Sequence, residues 1–173
     1  KHDDALFNVK PLVTKDEIVP ATPFSEMFIR SYNKISQLKG IQTDIKHLGH
    51  EVLFFKEWSQ RFDEEFYIWS IMEKNCPIAL LALNPSLVET YIESGMGGNK
   101  KILDIKNKRE LTSTDQVIIT NINALFLVSL REGMKVKKLL SKVEWGNYLL
   151  DTEINSLFDP NTKGQLFQWE TKN

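Results

Sequence analysis

The first regular signal in the hydrophobic pattern is helical. Phe24, Met27, Phe28, Ile35 and Leu38 recur at three- and four-residue spacing, with Pro23 ahead of them and Gly40 behind. This predicts an amphipathic helix that starts near Pro23 and stops at Gly40. Residues 1–22 are polar with scattered apolar residues and two prolines, and read as an extended or loosely packed arm. From Ile41 the period becomes that of extended chain. Segments 41–45 and 51–55 predict strands on either side of a turn at His47–His50, and Glu57–Glu65 predicts a short helix or loop.

Aromatic and β-branched residues fill 66–72, and 78–83 is an almost unbroken apolar run. Both predict strands, joined by a turn at 73–77; the second requires cover on both faces or a central place in a sheet. Asn84-Pro85 opens a helix, with Asn84 as N-cap and Leu87, Val88, Tyr91 and Ile92 on its apolar face, ending at Gly95. Ser113 and Gln116 suggest a capping box for a second long helix. Its residues Val117, Ile118, Ile122, Leu125, Phe126 and Val128 are apolar enough to place it inside a core. Beyond Gly133 the pattern weakens. Val143–Asp151 reads as a strand, Asp159-Pro160-Asn161 as a turn and Gln165–Glu170 as a last edge strand.

The pattern describes an α/β domain over 23–173, with 133–173 not assigned to the core architecture. At 173 residues, 42% hydrophobic and 26% charged, the chain has material for one core. A net charge of −1 disfavours nucleic acid as partner. The apolar runs are too short to span a membrane, and the opening Lys1-His2-Asp3-Asp4 lacks signal-peptide character. The absence of an initial Met fits a chain that starts further upstream. One cysteine, Cys76, excludes an internal disulfide and fits a reducing compartment.

Catalytic chemistry is sparse. His47-x-x-His50 has too few neighbouring ligands for a metal site and reads as two turn histidines. Gly95-x-Gly97-Gly98 follows a helix and lacks Gly-Lys-Ser/Thr, so it is not a phosphate loop. Cys76 has no base partner, and Asp63-Glu64-Glu65 reads as a solvated acidic patch. No cofactor is implied, and the residues alone point to an interaction domain and not to an enzyme.

Three stretches carry a family likeness. Leu6-Phe7-Asn8-Val9-Lys10-Pro11 is followed by Thr14-Lys15-Asp16-Glu17-Ile18; Leu80-x-Ala82-Leu83-Asn84-Pro85-Ser86-Leu87 runs on to Gly97-Gly98; and Lys108-Arg109-Glu110-Leu111-Thr112-Ser113-Thr114-Asp115 follows at a fixed distance. Together they resemble the middle domain of the FliM family of flagellar motor switch proteins, which is CheC-like. The resemblance implies a CheC-like α/β fold of long helices packed against a mixed β-sheet. It implies a structural subunit of the cytoplasmic switch ring (C-ring), peripheral to the inner membrane at the flagellar basal body. Such a subunit binds the rotor protein FliG, contacts neighbouring copies of itself, and relays the signal of phosphorylated CheY. CheY and FliN would bind through parts outside this chain. The family's Gly-Gly-x-Gly loop maps the FliG contact onto Gly97, Gly98, Asn99 and Lys100, with Lys100 standing where the family has glycine. CheC-like and FliY-like phosphatases carry a Ser or Asp, then Glu four residues on, then Asn three further. Here Ser113 leads to Val117 and Thr120, and Asp115 to Ile119 and Ile122, so no catalytic residue is expected. A CheY phosphatase and a type III secretion sorting-platform scaffold stand as alternatives.

Overall fold

The computed structural model describes residues 5–9, 21–41, 44–61, 65–98, 101–136 and 143–172. Their elements run β1 (Ala5–Val9), α1 (Ala21–Leu38), β2 (Asp44–Phe54), α2 (Phe55–Arg61), β3 (Tyr67–Glu73), β4 (Cys76–Leu83), α3 (Pro85–Gly95), α4 (Ser113–Val136), β5 (Val143–Leu149), α5 (Asp151–Ile154) and β6 (Lys163–Lys172). The strands form one sheet in the order β2-β6-β1-β4-β3-β5, antiparallel at each of these pairings.

Long helices on a sheet are present as expected, and alternation along the strands builds a core on each face. Trp69, Leu81, Phe167 and Trp169 face α1, α3 and α4, meeting Phe28, Tyr32, Tyr91, Ile119, Ile122 and Phe126. Ile68, Leu80, Ala82 and Leu166 point the other way, to Trp58 of α2, Ile154 of α5 and Phe158. The continuous apolar run of β4 follows from this double cover.

Several local expectations change. Ala5–Val9, expected within a loose arm, is a strand paired to β4 on one side and β6 on the other; residues 10–20 lie outside the described set. His47–His50 is not a turn. β2 is one strand whose register with β6 slips between His47 and Gly49, a bulge that puts His47 opposite Trp169 and His50 opposite Phe167. β6 is interior, between β2 and β1, and not an edge strand; the edges are β2 and β5. Two strands far apart in sequence thus complete the sheet's middle, which local periodicity does not reveal. Residues 143–151 divide into strand β5 and the short α5. The apolar face of α1 is completed by the fully buried Tyr32, while Leu38 is 69% exposed. α4 is only half sunk: Ile119, Ile122 and Phe126 are buried, but Val117, Leu125 and Val128 are exposed.

The β3–β4 hairpin turns on Lys74 (φ 49°) and Asn75 (φ 63°). Two successive left-handed residues are what a two-residue hairpin loop requires, and asparagine tolerates that conformation well.

Candidate functional site

The Gly97-Gly98 pair lies where α3 ends, and its geometry follows from how helices terminate. Asn84 caps the start, its Oδ1 accepting from Leu87 N at 2.8 Å, with Pro85 at the first helical position. At the other end Gly97 N donates to Ser94 O (3.1 Å) and Gly98 N to Glu93 O (2.9 Å). This pair of bonds is a Schellman motif. Gly97 takes φ +81°, and a Cβ there would meet open space. Gly98 needs no such backbone; a Cβ on it would meet the Glu93 side chain, its Oε1 nearest. Both glycines are exposed, and Met96 beside them is 61% exposed. Gly95 is exposed too but lies close to α4: a Cβ would fall 2.7 Å from Ile118 Cγ2. Asn99 and Lys100 lie outside the described residues.

Residues 103–105 run alongside α3. Two hydroxyls one helical turn apart hold their backbone. Thr90 Oγ1 accepts from Leu103 N (2.9 Å), and Ser86 Oγ both accepts from Ile105 N (3.0 Å) and donates to Ile105 O (3.1 Å). Lys108 Nζ then donates to Phe66 O (3.1 Å) and pairs with Asp151 (2.7 Å).

Arg109 is the node of this region. Its guanidinium grips Glu89 of α3 in a fork, Nε to Oε1 at 2.6 Å and Nη2 to Oε2 at 3.1 Å, and through Nη1 reaches Asp115 Oδ2 of α4 at 2.7 Å. Its backbone exchanges two hydrogen bonds with Tyr67 OH. Asp115 in turn accepts from Thr112 N (2.8 Å), while Asp115 N donates to Thr112 Oγ1 (3.1 Å). The capping box of α4 is therefore Thr112 with Asp115, not Ser113 with Gln116. Asp115 wins the position because it serves the cap and the guanidinium at once; Gln116 instead donates to Leu111 O. The hydrogen bond from Arg109 holds the Asp115 carboxyl below its usual range, and Asp115 with Glu89 pushes Arg109 up. Sequence reasoning placed Arg109 and Asp115 in a family motif but missed their pairing with Glu89, a third residue twenty positions upstream.

The other candidates have structural explanations. The bulge puts both histidines on one face, but His47 Nδ1 lies 2.9 Å from Ser25 Oγ, which accepts from Trp169 Nε1 at 2.8 Å. Burial, with His50 nearby, lowers the His47 pKa, which suits a neutral ring receiving the Ser25 proton. Among the described residues no group of three or more His, Cys, Asp or Glu side chains could hold a metal. Cys76 is exposed at the start of β4, next to the hairpin. Of the acidic patch, Asp63 and Glu64 lie outside the described residues, and Glu65 accepts from Lys108 N at 2.8 Å. A cleft of about 410 Å³ opens beside Lys108, Arg109, Glu110, Tyr148 and Asp151. The Lys108–Asp151 ion pair lies in its wall, and burial pushes the Tyr148 hydroxyl up to about 12.

Compared with known proteins, the chain matches no protein-family model and no curated protein. Solved structures do resemble it. A chain of the FliG–FliM complex from H. pylori superposes with a TM-score of 0.72 at 13% identity, covering 93% of this chain and 88% of that one. The FliM middle domain from H. pylori gives 0.63 at 11% identity, over 88% and 93%. FliY from Thermotoga maritima gives 0.65 at 13% identity, over 90% and 85%. The chain thus has the fold of the FliM middle domain, a fold shared with FliY.

Proposed function

We propose that this domain is a structural subunit of a flagellar switch ring, and that it docks a FliG-type rotor protein on the Gly97-Gly98 turn. The observation that carries the proposal is the turn itself. It is an exposed backbone corner at the end of a capped helix, open at Gly97 for a partner to approach closely. The fold likeness supports the choice of partner, since one of the similar chains was solved in a FliG–FliM complex. In this reading the domain sits in the cytoplasmic ring at the base of the motor, beside copies of itself. No described helix is long and apolar enough to cross a membrane.

The reading is of a scaffold and not a catalyst. At the α4 positions where the resembling phosphatases place their carboxylate and amide, this chain has Val117 and Thr120, or Ile119 and Ile122, the last two buried in the core. Fold likeness to FliY favours CheY-phosphate hydrolysis as the second reading. Incubating the chain with phosphorylated CheY separates the two: the scaffold reading expects dephosphorylation at the unassisted rate. The docking reading is tested by co-purification with a FliG-type protein. Wild type is expected to retain it and Gly98→Lys to lose it while keeping its fold.

A further inference from the structure

Both halves of α1 are buried against the core, but their polar groups are matched differently. In the N-terminal half, Phe28 stacks on Trp169 with centroids 3.6 Å apart, and Ser25 is tied to Trp169 and His47. Towards the C-terminal half, buried polar groups of α1 and of α4 go unmatched among the described residues. Tyr32 and Asn123 are buried, at 0% and 1% exposure. Tyr32 OH and both amide atoms of Asn123 have no hydrogen-bond partner among the described residues, and neither does the buried Oδ1 of Asn33. Tyr32 packs on Phe126, ring to ring at 4.3 Å, and Asn123 stands one turn before Phe126 on the same helix. A buried polar atom without a partner weakens the closed state, because opening gives it water at once.

The same half of α1 is fastened to the end of α3. Ser36 Oγ and Tyr91 OH are 2.8 Å apart, and Ser94 Oγ donates to Lys39 O at 3.3 Å. Ser94 O is also the acceptor for Gly97 N. A displacement of the α1 C-terminal half therefore reaches Ser94, one of the two residues whose carbonyls close the glycine turn, through Lys39 just past the helix end.

We propose that the α1–α4 seam at Tyr32 and Asn123 is a built-in joint. The C-terminal half of α1 opens there without unfolding the sheet, and the opening loosens the Met96–Gly98 turn through Ser36 and Ser94. The joint would regulate docking by setting how often the turn is in its closed form. Its relevance to docking rests on the proposed function above, but its existence does not.

Native-state hydrogen exchange on the whole chain tests it without any partner. Asn123→Leu removes the unmatched amide and keeps the volume. Protection of the Ile35–Leu38 amides is expected to rise about tenfold relative to the β4 amides, with a smaller rise at Met96–Gly98. Tyr32→Phe, which deletes a single hydroxyl, should shift both segments in the same direction by less, and serves if Asn123→Leu does not fold. Unchanged or reduced protection of α1 would overturn the joint. A rise in α1 with none at Met96–Gly98 would overturn the coupling. Either failure leaves the docking of a rotor protein standing, because co-purification measures that separately.

Discussion

The two glycines of the turn have different jobs. Gly97 occupies a left-handed position, where a Cβ costs about 1 kcal/mol, while Gly98 has only a flexible carboxylate in its way. Urea unfolding should therefore show Gly97→Ala about 1 kcal/mol less stable than wild type, and Gly98→Ala within about 0.5 kcal/mol of it. Equal losses would contradict the assignment of the helix stop to Gly97. Asp115 gives a second prediction at this scale. Its folded pKa is depressed, chiefly by Arg109, so the unfolded state binds its proton more readily. The stabilisation is complete above the unfolded value near 4 and is lost as pH falls through the folded value. Unfolding curves between pH 7 and 2 should be flatter for Asp115→Asn than for wild type, the two converging at the acid end. The glycine pair was readable from sequence as a helix stop because capping is local. The Arg109–Glu89–Asp115 node was not, because nothing in spacing indicates which carboxylate a guanidinium will reach.

Elements were legible where their signals are local and hidden where pairing is distant. Asn84-Pro85 fixed the start of α3, and β3, β4 and their hairpin follow from β-branched and aromatic runs around Lys74-Asn75. Local pattern reads β1 as an arm and β6 as an edge, because a strand's neighbours depend on contacts 70 or more residues away. The β2 bulge carried a turn's sequence features without being a turn. At the far edge, Ser70 Oγ fills the irregularity opposite Gly146-Asn147, accepting from Asn147 N at 2.9 Å. A Cβ on Gly146 would run into Ser70 Oγ and lie 2.8 Å from Ser70 O. Gly146→Ala should lower stability by about 2 kcal/mol, as overpacking does. Ser70→Ala should rescue only part of the loss, since the backbone oxygen remains. Full tolerance of Gly146→Ala would show that β5 can shift.

For the molecule as a whole, the sheet with its helical layer on one face and α2 and α5 on the other is the FliM middle-domain fold at 11–13% identity. So little shared sequence leaves the fold recognisable because the burial pattern, and not residue identity, specifies it. The part of the site that sequence made visible was a glycine turn at the right place in the element order. The part it hid was the bonding around α3: Ser86 and Thr90 to the 103–105 backbone, Arg109 to Glu89, and the Ser36–Tyr91 and Ser94–Lys39 links to α1 and the residue after it. The central claim is that this turn docks a rotor protein, and the most direct test is the affinity of a FliG-type protein for wild type and for Gly98→Lys, by titration calorimetry. Gly98→Lys places a long side chain on the turn next to Glu93, and circular dichroism checks that it is folded. The account predicts measurable binding by wild type and a loss of at least tenfold in the variant, about 1.4 kcal/mol. Equal affinity of a folded Gly98→Lys protein would place the contact elsewhere on the domain.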